Sequence, residues 1–117
     1  MTDNVAALRQ LLLSTPRAAL PMTYQQVASA LALTPPRTIA QVTQALEQLM
    51  REDAAQQKPF IAALVISRRG DGLPAAGFFE LAVALGRFPA DTAQQEAAYR
   101  AEFQRALNER ESADKND

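Results

Sequence analysis

Two neighbouring stretches decide the fold, Met22-Thr23-Tyr24-Gln25-Gln26-Val27-Ala28 and Thr34-Pro35-Pro36-Arg37. Thr23 is a good helix N-cap, and Gln26 three residues later completes a capping box, so a helix is predicted to begin after Thr23. The two prolines end this helix, because proline cannot continue one. Two short helices joined by a proline turn are typical of a helix-turn-helix unit.

The flanking sequence predicts a mainly α (α+β) fold around this unit. A first helix precedes it, and a third runs from Arg37 or Thr38 to Asp53 with apolar residues at steps of three and four. The apolar run from Phe60 to Ile66 predicts a buried strand, and the glycine-bearing turn after it predicts a short hairpin. Two C-terminal helices are predicted to follow, over residues 78–85 and from residue 91 or 92. The whole pattern predicts a winged-helix-like fold with the hairpin as its wing.

Composition excludes most catalytic and metal chemistry. The 117 residues contain no cysteine and no histidine, which removes disulfides, thiolate ligands and imidazole catalysis. Carboxylates remain, but Glu47, Glu52 and Asp53 are expected on solvated surface. We therefore expect no enzyme, no cofactor and no metal. No apolar run approaches the roughly 20 residues of a membrane span, and the N-terminus does not resemble a signal peptide, so a cytoplasmic protein is expected.

The charge is distributed unevenly. The net charge is −1 and the isoelectric point is about 5.4, which is low for a protein that binds nucleic acid. Residues 1–90 hold eight basic and six acidic side chains, whereas residues 91–117 hold four basic and seven acidic ones. The chain is accordingly divided into a winged-helix-like domain, 1–90, and an acidic C-terminal helix, 91–117, packed on it or extending from it.

Three short stretches carry a resemblance to a known family: Met22 to Ala28, Pro36-Arg37-Thr38-Ile39-Ala40, and Leu64-Val65-Ile66-Ser67-Arg68-Arg69-Gly70. They resemble, in order and spacing, the DNA-binding domain of alkylguanine-DNA alkyltransferases and alkyltransferase-like proteins. In that alignment Ala62 and Ala63 stand where the family has its reactive cysteine and a histidine. Methyl transfer to sulfur is therefore chemically excluded, and the resemblance points to the branch that binds damaged DNA without repairing it.

The resemblance implies roles for particular residues. Arg37 takes the place of the family's arginine that fills the gap left by a flipped base. Tyr24 takes the place of a tyrosine that presses on the phosphate that rotates. Ala62 marks the base pocket. From the residues alone, Thr38 and Gln41 offer polar groups to DNA on the third helix, and Arg68 and Arg69 offer phosphate contacts from the turn.

Other interpretations stay open for these residues. Arg37 is alternatively a solvated arginine that follows a proline turn. Tyr24 is alternatively a half-buried aromatic residue. Arg68 and Arg69 are alternatively the solubilising tip of a hairpin. The main alternative function is a protein-interaction or self-association module. In it, Tyr99, Phe103 and Leu107 of the C-terminal helix bind a protein partner or a second copy of the chain. A third hypothesis has the acidic C-terminal segment covering a basic groove.

Overall fold

The computed structural model describes residues 4–68 and 71–115, with side chains described as far as Glu111. These residues form a mainly helical domain with a two-stranded sheet. Its helices and strands are α1 (Asn4–Ser14), β1 (Met22–Thr23), α2 (Tyr24–Ala30), α3 (Thr38–Ala55), β2 (Val65–Ile66), α4 (Ala76–Ala84) and α5 (Thr92–Lys115). Short 3₁₀ helices lie at Arg17–Ala19 and Ile61–Leu64. The predicted mainly α fold with a small β component is confirmed.

The predicted capping box sets the start of α2. The Thr23 hydroxyl oxygen accepts the Gln26 backbone N–H at 3.1 Å, and the Gln26 side-chain oxygen accepts the Thr23 backbone N–H at 2.8 Å. Two N–H groups that the helix itself leaves unpaired are satisfied in this way. The reciprocal bonds fix where Tyr24 stands, because it is the first residue of the helix.

The central helix is α3, and α1 and α2 both pack on it. Its buried face presents Val42, Leu46, Leu49 and Met50 to the core, with the spacing expected of an amphipathic helix. The opposite face stays exposed to solvent. This arrangement leaves one long side of α3 available for contacts outside the domain.

The predicted strand over residues 60–66 is wrong for most of its length. Residues Ile61–Leu64 form a 3₁₀ helix, and only Val65–Ile66 is a strand. That strand pairs in parallel with β1, with Met22 opposite Val65. Across the following turn the Ser67 N–H donates to the Leu73 carbonyl oxygen at 2.9 Å. The described residues of this turn contain no strand, so the predicted hairpin wing is not formed by them.

Two buried carboxylates explain why this apolar run is not extended. Glu102 accepts the Phe60 N–H at 2.7 Å, and Asp53 accepts the Ile61 N–H at 3.1 Å. A buried N–H must find an acceptor, and in a sheet a neighbouring strand would supply it. Here side chains of α3 and α5 supply it instead, so the run needs no strand partner.

The last helix, α5, is part of the core. Tyr99, Ala106 and Leu107 are buried, and α5 packs on the 3₁₀ helix Ile61–Leu64. The Tyr99 hydroxyl donates a hydrogen bond to the Ala63 carbonyl oxygen at 2.8 Å. The C-terminal helix that the sequence predicts therefore lies against the rest of the domain and does not extend away from it.

Candidate nucleic-acid interface

Tyr24, the first residue of α2, is bonded to the start of α4. Its hydroxyl oxygen accepts the backbone N–H of Ala75 at 2.9 Å, and Ala75 is the N-cap residue of α4. The ring is half-buried, as one of the two sequence interpretations expected. This bond fixes the position of Tyr24 beside the segment that follows the 67–73 turn.

Arg37 stands at the N-cap of α3, with an exposed side chain. Its backbone is left-handed, with φ 63°, a conformation that costs a non-glycine residue free energy and is enriched at functional sites. Two hydrogen bonds from the Gln41 side chain hold the turn before it. The Gln41 amide nitrogen donates to the carbonyl oxygens of Thr34 and Pro36, at 3.0 and 3.1 Å. The donor group of Gln41 that the sequence analysis assigned to DNA is therefore engaged in the turn.

The exposed side of α3 is formed by a row of residues at helical spacing. Thr38 and Gln41 are only half exposed, and the Thr43 hydroxyl donates back to the Ile39 carbonyl oxygen at 3.0 Å. We call the fully exposed row the α3 strip; its members are Ala40, Gln44, Gln48 and Arg51. The strip contains no carboxylate. The structure thus places the most accessible polar groups one turn further along α3 than Thr38 and Gln41.

A small cavity lies beside Ala62. Ala62 is 1% exposed, and the cavity walls include Tyr24, Thr43, Glu47 and Phe78. Its volume is about 60 Å³, against several hundred for a typical small-molecule pocket. The structure therefore brings Tyr24 and Ala62 to one cavity, as the base-pocket hypothesis requires, but the walls must move apart before a base can enter.

The turn after β2 carries the remaining predicted contacts. Arg68 is exposed there, whereas Arg69 lies outside the described residues. The Asp71 carboxylate accepts the Leu73 N–H at 3.1 Å, and Arg100 donates to the Asp71 carbonyl oxygen at 3.5 Å. The turn is thereby held against α5 on one side.

A buried charged cluster was missed by the sequence analysis. Asp53 is 2% exposed, so its expected place on solvated surface is wrong. Desolvation by burial raises the pKa of this carboxyl, against the opposing effects of the Ile61 N–H and the Arg9 guanidinium, whose nitrogen lies 3.0 Å away. No local pattern signals it, because the groups that bind Asp53 come from α1 and from the 3₁₀ helix Ile61–Leu64.

Metal binding and membrane insertion find no support among the described residues. Among residues 4–68 and 71–115 no group of three or more carboxylates is placed to hold a metal ion. No helix in the same residues has the length and apolarity needed to cross a bilayer. The α3 strip, Arg37 and the Tyr24 cavity are therefore the features that bear on the predicted DNA interface.

Comparisons with family models, curated proteins and solved structures find no match for this chain. The resemblance to the alkyltransferase DNA-binding domain consequently rests on the three quoted stretches. Its implications for DNA remain predictions, and any proposed function depends on the geometry of the described residues.

Proposed function

We propose that this chain binds double-stranded DNA, without catalysis, through the N-terminal half of α3 and the turns beside it. One observation carries the proposal. An exposed arginine, Arg37, heads an 18-residue helix whose exposed strip has no carboxylate. Such a surface is open to a phosphate backbone, because amides bond to phosphate or base edges. Glu52, whose carboxylate bonds to Gln48 of the strip at 3.5 Å, is paired with Arg9.

The start of α3 favours an anion for two reasons. The first backbone N–H groups of a helix lack partners within the helix, and the helix dipole places partial positive charge there. Arg37 adds a full charge at the same end and contacts phosphate through a charge-assisted hydrogen bond.

The low isoelectric point of the whole chain is only weak evidence against DNA binding. Two of the six carboxylates in residues 1–90 are already engaged, since Arg9 pairs with Glu52 at 3.1 Å and with Asp53 at 3.0 Å. Glu47 lines the cavity and lies off the α3 strip. The surface that meets DNA in this proposal is thus more basic than the whole chain, although few cations imply modest affinity.

The finer part of the proposal concerns a damaged or flipped base. Tyr24 and Ala62 line the same cavity, and Arg37 precedes Thr43 of that cavity by six residues, or about 9 Å along the helix. A base turned out of the duplex enters beside Ala62 once the lining opens. Flipping costs a few kcal/mol, and less at a damaged base, so an alkylated base is favoured.

The protein-interaction alternative receives no support from the described residues. Of its three residues, Tyr99 is 1% exposed and Leu107 is 4% exposed, so the core of this domain already uses these two side chains, and Phe103 is half-buried. The hypothesis that the acidic segment covers a basic groove also lacks support, because α5 packs on Ile61–Leu64 while Gln44 and Gln48 stay exposed.

A DNA titration tests the proposal with Arg37→Ala. At low salt we expect the wild-type protein to raise the fluorescence anisotropy of a short labelled duplex. In Arg37→Ala we expect the magnitude of the slope of log affinity against log salt concentration to fall by about 1, because one phosphate contact is lost. Arg17→Ala is the matched control: Arg17 is exposed, pairs with Glu111 and lies outside the proposed surface.

Two results would refute the proposed function: no wild-type binding at low salt, or equal salt slopes in the two variants. A second duplex carrying an alkylated guanine tests the finer proposal separately. Tighter binding to it supports entry of the base beside Ala62. Equal binding to both duplexes removes the base pocket and leaves a general DNA-binding protein.

A further inference from the structure

A second and larger cavity lies on another part of the domain, between α1, the end of α3 and α5. Its volume is about 190 Å³. Leu13, Ile61 and Ala106 give it an apolar lining, while Arg110, Lys58 and Glu109 bring charged groups to it. It shares no lining residue with the cavity beside Ala62. Nothing in the proposed DNA interface uses it.

Arg110 is the unusual member of this lining. It is 8% exposed, and one guanidinium nitrogen donates to the carbonyl oxygens of Leu12 and Thr15 at 2.7 and 2.6 Å. These oxygens lie at the C-terminal end of α1, where the helix dipole supplies partial negative charge. No carboxylate among the described side chains pairs with Arg110. A buried cation without a counter-ion is costly, and an anion at this place lowers that cost.

Asp53, one of the two acidic residues that line the cavity, is paired with a cation. Its carboxylate accepts a hydrogen bond from the Ile61 N–H and is paired with Arg9, which also pairs with Glu52. Lys58 is exposed, and with Arg9 and Arg110 it makes three cations in the lining of the cavity. Against these stands Glu109, which is exposed and opposes an anion.

We propose that this cavity binds a small carboxylate with an apolar body. The carboxylate lies between Arg110 and Lys58, and the body lies against Leu13, Ile61 and Ala106. The size fits a single ring, because an apolar cavity of about 150 Å³ suffices for benzene. The inference is independent of DNA binding and stands if that proposal fails.

The test is a titration of the full ¹⁵N-labelled chain with sodium benzoate, followed by amide chemical shifts. We expect saturable shifts at Leu13, Lys58, Ile61 and Ala106. Benzamide, which has the same shape without the charge, is expected to give much weaker binding. Lys58→Gln weakens benzoate binding about two- to fivefold, and Glu109→Gln strengthens it by a similar factor, as removal of one exposed charge implies.

Lys58 and Glu109 are exposed, so these variants keep the core intact, unlike a change at Arg110. Arg100→Gln is the control, since this exposed arginine of α5 does not line the cavity. It is expected to bind benzoate as wild type does. Shifts that do not saturate, an equal response to benzamide, or unchanged affinity in Lys58→Gln would overturn the proposal.

Discussion

Glu102→Ala is expected to lower the free energy of unfolding by about 3–5 kcal/mol, the usual cost of breaking a buried ion pair from one side. Glu102 has no exposed surface. Its carboxylate accepts the Phe60 N–H at 2.7 Å, is paired with Arg87 at 2.8 Å, and is also paired with Arg105. Alanine leaves the Phe60 N–H without an acceptor, and leaves the Arg87 guanidinium over the Phe60 ring, 4.3 Å from its centre, without its counter-ion.

Urea denaturation of wild type and two further variants measures this effect. Glu102→Gln keeps the size and one oxygen acceptor, so we expect a smaller loss than for alanine. Glu96→Ala is the matched control, because Glu96 is an exposed glutamate of α5 that pairs with Arg100. Its loss is expected to stay below about 1 kcal/mol. If Glu102→Ala is no more destabilising than Glu96→Ala, the carboxylate does not hold the 3₁₀ helix in place.

Tyr99→Ala is expected to cost a similar amount, about 3–5 kcal/mol, because it empties a large part of the aromatic core. The Tyr99 ring contacts Phe78, Phe79 and Phe103, with ring centres 5.9 to 6.2 Å apart. Tyr99→Phe separates the hydroxyl from the ring. It leaves the Ala63 carbonyl without its partner, and its expected loss is about 1 kcal/mol.

The two tyrosine variants also differ from wild type in alkaline solution. Burial raises the pKa of the Tyr99 hydroxyl above its usual value near 10. The folded chain therefore keeps this proton at a pH where the unfolded chain releases it, so wild-type stability falls as the pH rises above about 10. Tyr99→Phe cannot show this contribution.

Urea denaturation at pH 8 and at pH 10.5 or above checks this expectation. The stability difference between wild type and Tyr99→Phe should shrink as the pH rises. A constant difference across that range would contradict the burial of a protonated Tyr99. A loss in Tyr99→Ala no larger than that in Tyr99→Phe would contradict the packing of the ring.

Local signals in the sequence predicted the helices well. The Thr23 and Gln26 capping box and the apolar spacing of α3 are short-range features, so they are visible in a single sequence. The predicted start of the last helix is also confirmed, since the Asp91 side chain accepts the Ala93 N–H at 3.0 Å. Such features depend on residues within one or two turns of each other.

The segment over residues 60–66 shows why other predictions failed. Its composition favours a strand, and only long-range contacts decide against one. The carboxylate of Glu102 comes from 42 residues away, and that of Asp53 from the preceding helix. Both residues have the charge typical of a surface position. Spacing alone does not reveal that a carboxylate will be buried as a backbone acceptor.

The DNA-binding roles of the candidate interface stay predictions. Arg37 is exposed at the head of α3, which both sequence interpretations of it expected, and Tyr24 and Ala62 line one cavity. The hydrogen bonds of Gln41 to the preceding turn could not be predicted from the sequence, because an amide side chain bonds equally well to a turn or to a partner at the surface. The left-handed backbone of Arg37 likewise depends on the folded turn.

The most direct test of DNA binding is amide chemical-shift mapping of the full ¹⁵N-labelled chain with a short duplex at low salt. Our account predicts shifts concentrated at Tyr24, residues 37–44 and Arg68, all reversed by added salt. The far end of α5, around Glu109, should not respond. An unchanged spectrum, or shifts confined to α5, would contradict the assignment of the DNA surface to α3.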